Sequence, residues 1–247
     1  MKAKVTDVAQ MLDDLELPLA AARLRKIQDG PELSNFSSVQ LLRAVIEPQY
    51  LDHMNVRYTT NLRLSALVNK SAVAENLKTG NGRVYYNDPT VQQILSFRFV
   101  ENRQNVGVYG KTGAGKSYFL SACCVEACRE NIRCRAVDYC DLLDELLVLS
   151  RDNLTKYRKR VKYYSKIQLL FIDDFCISRY SEEGIKILYH LIKSRTDLGT
   201  STMFSSQYSP DEWGKYLSYE EDCYGKLDGI RRRLTNGHTI LIEKAKK

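Results

Sequence analysis

The residues Gly110-Lys111-Thr112-Gly113-Ala114-Gly115-Lys116-Ser117 fit the phosphate-binding pattern G-x-x-x-x-G-K-S at every fixed position. Glycines at this spacing let backbone N–H groups turn inward around a phosphate chain, and a helix that starts at the lysine presents its positive end to the same anion. Lys116 reaches the β- and γ-phosphates, the Ser117 hydroxyl suits Mg²⁺, and Tyr118 opens the helix that completes the binding set. A nucleoside triphosphate is the expected ligand. A second set of candidates lies about 55 residues further on, where the apolar run Leu169-Leu170-Phe171-Ile172 ends in Asp173 and Asp174. Asp173 is placed to bind Mg²⁺ directly or through water, and Asp174 to orient or deprotonate the attacking water. Gln207, polar at the end of the run Ser201 to Ser206, is a candidate contact to the γ-phosphate or to that water.

Both sets need elements that hold them. Val106 to Tyr109 alternates as a short buried strand before the loop, and Tyr118 to Arg129 carries Phe119, Leu120, Cys123, Cys124 and Ala127 at helical spacing after it. Further strands are predicted at Arg133 to Tyr139, Ile167 to Asp174, Ser201 to Ser206 and His238 to Glu243. Helices are predicted at Thr90 to Val100, Asp141 to Leu149, from Ser181 towards Gly199, after Ser209-Pro210-Asp211-Glu212, and at Asp222 to Leu234. Such alternation implies parallel strands covered by helices. Ahead of this core the periodicity predicts helices from Val5 to Leu15, from Ala20 to Ile27 and from Ser37 or Ser38, with Pro48 kinking or ending the third; Leu51, Met54, Tyr58 and Leu62 mark another helical face. The expected organisation is a helical N-terminal domain over 1–75, a linker over 76–89 rich in glycine and asparagine, in which Arg83-Val84-Tyr85-Tyr86 is a candidate short extended piece, and a nucleotide-binding core over 90–247.

The chain has 247 residues, 44% of them hydrophobic, enough for a substantial core. No apolar run reaches membrane-spanning length and the first residues carry no secretion signal, so the expected compartment is the cytoplasm, with no membrane partner. The seven cysteines lack a paired C-x-x-C arrangement and are expected to be reduced, mostly buried thiols. The net charge of +7 is concentrated: residues 151–166 carry +6 and residues 226–247 carry +5, leaving −4 elsewhere. Lys156, Arg158, Lys159, Arg160 and Lys162, interleaved with Tyr157, Tyr163 and Tyr164, form a candidate DNA surface that neutralises backbone phosphates; a solvated helix face is the alternative. Nothing resembles a base-reading module, so little sequence preference is expected.

In combination these features resemble the IstB-type ATP-binding helpers of bacterial transposition, relatives of the DnaC-type helicase loaders within the AAA+ ATPases. The resemblance covers nearly the whole chain. It rests on Met11-Leu12-Asp13-Asp14-Leu15, the loop Gly110 to Ser117, the helix Asp141-Leu142-Leu143-Asp144-Glu145-Leu146, Leu169 to Phe175, Ser206-Gln207, Glu212-Trp213 and Arg233-Leu234. It implies an α/β P-loop NTPase (AAA+) parallel-sheet core, a small all-helical N-terminal domain and no C-terminal lid domain. ATP and Mg²⁺ are the implied cofactors. The implied partners are duplex DNA, a cognate transposase, and further copies of the chain in a homo-oligomer with ATP at its subunit interfaces. In such proteins an arginine near the end of the last core helix reaches the neighbouring subunit's γ-phosphate; Arg233 matches that place best, Arg232 follows, and Arg231 is free to serve DNA. The second acid is often glutamate in this family and is Asp174 here, so slow hydrolysis, stimulated by DNA or oligomerisation, is expected. A helicase loader acting on single strands, a nucleotide-gated scaffold with negligible turnover, and a small-molecule kinase are the alternatives; a kinase would need an acceptor pocket and a basic lid.

Overall fold

A computed structural model describes residues 7–30, 36–80, 82–86, 88–218 and 223–245. The expected helix start at Val5, the linker residues Asn81 and Asn87, and the helix start at Asp222 lie outside them. The chain divides into two compact units, Met1–Thr60 and Asn61–Lys247.

The first unit is helical. Pro18 starts α2 (Pro18–Gln28) at its first position, where its missing N–H is no loss. That helix follows α1 (Val8–Asp14), and the two meet α3 (Ser38–Leu64) around Ala9, Ala20, Leu24, Ile27 and Val45. Ser37 and Gln40 bond reciprocally, the Ser37 N–H to Gln40 Oε1 at 2.9 Å and the Gln40 N–H to Ser37 Oγ at 3.4 Å, which closes the start of α3. Pro48 neither ends this helix nor divides it: α3 runs unbroken over 27 residues. One lost N–H···O bond is outweighed by the many on either side and by Val45, which anchors the preceding turn in the core.

The second unit is a six-stranded sheet with helices on both faces. The strands are β1 (Arg83–Tyr86), β2 (Asn105–Tyr109), β3 (Cys134–Asp138), β4 (Leu169–Phe175), β5 (Ser201–Ser206) and β6 (Gly237–Lys244), in the order β1-β6-β2-β5-β4-β3. Only β1 is antiparallel, to β6. β2 and β5 are buried along their whole length, as parallel strands covered on both faces must be. The helices are α4 (Asp88–Leu95), α5 (Arg98–Glu101), α6 (Lys116–Arg129), α7 (Tyr139–Asp152), α8 (Leu154–Lys166), α9 (Glu182–Asp197), α10 (Trp213–Tyr216) and α11 (Tyr224–Leu234). Leu170, Ile172 and Phe204 join the core beneath α7, α9 and α11. Strand alternation leaves Leu169, Phe171 and Met203 for the face that α6 covers.

Several expectations are refined by this architecture. The segment 76–89, expected as a linker, supplies β1 to the sheet. The helix expected from Thr90 to Val100 is broken at Phe97, which is left-handed at φ 53°, so α4 and α5 are separate. Only half of the expected capping box forms: Glu212 Oε2 accepts the Ser209 N–H at 2.9 Å and the Ser209 hydroxyl at 2.7 Å, while the Glu212 N–H goes to the Ser209 carbonyl, so the pair closes a turn and the helix begins only at Trp213. Ser181 precedes α9 without bonding it through its side chain; Glu182 and Glu183 favour that helix start instead by their charge. Arg195 is 1% exposed and ties α9 to β5 and to the chain entering β4, donating to Thr202 Oγ1 at 2.9 Å, to the Ile167 carbonyl at 3.1 Å, and to the carbonyls of Tyr164 and Ser201.

Candidate nucleotide-binding site

The glycine-rich loop joins β2 to α6 at the C-terminal ends of the parallel strands. Gly110, Gly113 and Gly115 have φ values of 154°, 73° and 103°, a region costly for other residues. A Cβ at Gly110 would collide with the Ile242 carbonyl oxygen, so the loop's entry also requires glycine on grounds of space. Gly115 caps α6 without any side-chain bond, which leaves the helix's first N–H groups for an outside acceptor. Lys111, Thr112 and Gly113 are exposed, Ala114 is buried, and Ser117 lies at the surface. Lys116 is 5% exposed and its Nζ donates to the Gly110 carbonyl at 2.9 Å and the Lys111 carbonyl at 3.3 Å. The ammonium thus rests on loop carbonyls inside the turn, where a phosphate oxygen is a better acceptor.

β5 lies between β2 and β4, so its end brings the remaining candidates to the loop. Gln207 Oε1 accepts from Thr112 Oγ1 at 2.8 Å. Ser205 Oγ donates to Asp173 Oδ1 and accepts the Asp174 N–H at 2.9 Å; that N–H also meets Asp173 Oδ1 at 3.1 Å. The β4–β5 register shifts between Ile172 and Phe175, and Asp174 is left-handed at φ 50°. Asp173 keeps its register with Asp138 of β3, so the irregularity falls at Asp174, where the strand leaves its pairing with β5. Burial first, then the neighbouring Asp173 charge, pushes the Asp174 carboxyl above the usual carboxylate range; Lys116 opposes the shift and Asp138 adds to it. Burial lowers the Lys116 ammonium, and Asp174 and Asp173 partly restore it. A cavity of about 610 Å³ opens beside Ser117 and Asp173, with Asp138 and Asp141 on its wall. The donor set fits a triphosphate with Mg²⁺: an uncapped helix start, a buried lysine, a hydroxyl, and two carboxylates.

Two residues in this site escaped sequence reasoning. The Arg83 guanidinium of β1 lies where a Cβ on Gly115 would be, with its central carbon 5.3 Å from the Tyr118 ring centre. Lys244 Nζ of β6 lies 3.1 Å from the Cβ position of Gly113. Tyr118 in turn accepts the Val73 N–H at 3.2 Å and the Asn76 side-chain amide at 2.9 Å, which attaches the segment before β1 to the loop helix. Neither Arg83 nor Lys244 belongs to a motif; only the register of β1 on β6 brings them there.

The terminal arginines follow a different geometry. Arg231 to Arg233 end α11, just ahead of β6, and thus lie at the opposite end of the parallel strands from their own loop. Arg231 pairs with Asp211 and Asp228, each at 3.0 Å. Arg233 is half-buried, donates to the Gly229 carbonyl at 2.8 Å and covers the Tyr189 ring at 5.3 Å. Arg232 is exposed and forms no ion pair among the described residues. The basic candidates lie on α8, which leads from α7 into β4. Lys156, Arg158, Lys159 and Lys162 are exposed, whereas Arg160 is held in an ion pair with Glu145, which also accepts from Tyr164 Oη at 2.9 Å. Among the described residues no helix is long and apolar enough to cross a membrane.

A mostly parallel sheet with this loop after β2 and paired acids near the end of β4 is the fold of a P-loop NTPase. The family model described as IstB-like ATP binding protein matches residues 10–237, and the chain belongs to that family. It is 25% identical over 232 residues to the insertion sequence ATP-binding protein y4uH of Sinorhizobium fredii, covering 93% of this chain and 90% of the relative. Among solved structures, the DnaC helicase loader superposes with a TM-score of 0.54 at 20% identity, over 70% of this chain and 97% of that one. The replication initiator DnaA, bound to AMPPCP and single-stranded DNA, superposes with a TM-score of 0.56 at 19% identity, over 72% of this chain and 51% of that one. The chain thus spans about half the length of that DnaA chain, and both structural likenesses concern the fold.

Proposed function

We propose that this protein is an ATP-dependent helper of transposition, which assembles on duplex DNA through nucleotide held between subunits and recruits or activates a transposase there. Its relatives' description as insertion-sequence ATP-binding proteins supports the setting. The observation that carries the reading is the separation within one chain of the phosphate loop and the arginines of α11 to opposite ends of the sheet. An arginine so placed lies away from its own chain's γ-phosphate and is positioned to meet another copy's. Arg232 is the contact we assign, because the Arg233 guanidinium is engaged with Gly229 and Tyr189; Arg233 then shapes the end of α11.

In this mechanism Lys116 binds the β- and γ-phosphate oxygens, and the Thr112 to Ser117 backbone cradles the chain. Ser117 and Asp173 hold Mg²⁺, which when bound offsets the phosphates' charge. Asp174 accepts the proton of the attacking water, Gln207 orients that water, and the neighbour's Arg232 offsets charge developing on the γ-phosphate. Hydrolysis then releases the assembly. Lys156, Arg158, Lys159 and Lys162 neutralise DNA phosphates with little sequence preference. The fold shared with the DnaC helicase loader favours a second reading, a loader acting through a helicase on single strands.

Complementation tests the shared site. Asp174→Asn and Arg232→Ala chains are each expected to be inactive, and mixing them restores hydrolysis at interfaces where an intact acid meets an intact arginine. A mixture as inactive as its parts would remove the shared site.

A further inference from the structure

Arg83 and Lys244 are register partners across the antiparallel β1–β6 pair. Directly opposed like charges destabilise a strand pair, since their side chains leave the same face a few ångströms apart. Here both chains lean over the glycine loop: the Arg83 guanidinium at Gly115 and Tyr118, and Lys244 Nζ at Gly113. Neither forms a salt bridge among the described residues; the nearby acid, Glu243, accepts from Tyr86 Oη at 3.0 Å. Two cations without a carboxylate partner among the described residues therefore converge on the glycine loop, which is shaped for an anion, beside the start of α6 that no side chain caps. The loop's backbone and helix start take the α- and β-phosphates, while the lysine inside the loop takes the β- and γ-phosphates.

We propose that Arg83 and Lys244 form a clamp, supplied in cis by the β1–β6 edge, that closes over the α- and β-phosphates of the nucleotide. The inference rests on the nucleotide-binding reading above. The clamp contributes to ATP and ADP alike, because the α- and β-phosphates it would take are common to both. It also gives β1 a purpose in the cycle: with nucleotide bound, the opposed charges are neutralised and the edge strand is held; with the site open they repel and the edge is loosened. Nucleotide occupancy is thereby transmitted to the segment that precedes β1, which Tyr118 already attaches to the loop helix.

The test compares wild type with Arg83→Gln, Lys244→Gln and the double variant, measuring calorimetric affinity for ADP and for a non-hydrolysable ATP analogue, and melting temperature with and without nucleotide. Wild type must bind nucleotide for the underlying reading to stand; if it does not, that reading fails first. Given binding, each variant is expected to lose roughly tenfold or more in affinity for both nucleotides, one charge-assisted contact's worth. Without nucleotide the variants should melt at or above the wild-type temperature, since a like-charge contact has been removed. Unchanged affinity, tighter binding, or a loss confined to the ATP analogue would overturn the clamp. A lower nucleotide-free melting temperature with unchanged affinity would make the pair merely structural.

Discussion

Replacing Asp174 by asparagine removes the proposed general base while leaving the backbone that presents it. Asp174 is left-handed at φ 50°, and asparagine is among the few residues with a side chain that accept this region readily. The N–H bonds to Asp173 and Ser205 come from the main chain and survive the substitution. A positioned base contributes about 10²- to 10⁴-fold, roughly 3–5.5 kcal/mol of barrier, so hydrolysis is expected to fall by that factor. Stability should move the other way. The Asp174 carboxyl is raised by burial and by Asp173, so the folded protein holds its proton more tightly than the unfolded chain does. That contribution is present at acid pH and lost as pH rises through the folded value. Near neutrality the wild type carries the unfavourable carboxylate and the asparagine variant does not, so the variant should melt no lower and bind the ATP analogue at least as well. The same shift places the acid limb of wild-type hydrolysis above the range of an ordinary aspartate. Phosphate release at saturating ATP, with melting curves from acid to neutral pH, checks all of this. A variant turning over within threefold of wild type would refute the assignment of Asp174 as base.

Ser205→Ala should raise the Mg²⁺ concentration required for half-maximal hydrolysis about tenfold, because Asp173 loses the hydroxyl that orients it; a Mg²⁺ titration reads this directly. Neutralising Lys156, Arg158, Lys159 and Lys162 together should flatten the logarithmic salt dependence of duplex binding by up to about 3.6, while Arg160→Ala should act mainly on stability through its lost bond to Glu145. Arg195→Leu leaves buried carbonyls unpaired at Tyr164, Ile167 and Ser201, and should cost about 3 kcal/mol or more in denaturant unfolding.

The sequence declares whatever is written in local order. β2 to β5 and the helices α6, α7 and α9 follow from apolar runs and periodicity, and the glycine loop and paired acids follow from spacing. What stayed hidden depends on partners distant in sequence. Arg83-Val84-Tyr85-Tyr86 is legible as a short extended piece within a linker, but not its pairing with β6, and the approach of Arg83 and Lys244 to the loop is a property of that register. The periodicity of α8 shows its charges but not that Glu145 of α7 takes Arg160. Likewise, α11 reveals three arginines, and only packing shows that Tyr189 and Gly229 occupy the third while the second stays exposed. Cys124 and Cys128, one helical turn apart, meet Cys134 across the α6–β3 packing at sulfur distances of 3.5 Å and 3.3 Å, a proximity that spacing alone does not report.

The most direct test of nucleotide-dependent assembly is the mass of the protein on a duplex of roughly 50 base pairs and on a matched single strand. Each would be measured without nucleotide, with ADP and with a non-hydrolysable ATP analogue, for wild type, Lys116→Ala and Arg232→Ala. The account predicts a large assembly on duplex with the analogue alone, absent in both variants. A protein that stays monomeric with every nucleotide, or assembles equally well in the Arg232→Ala variant, would contradict it.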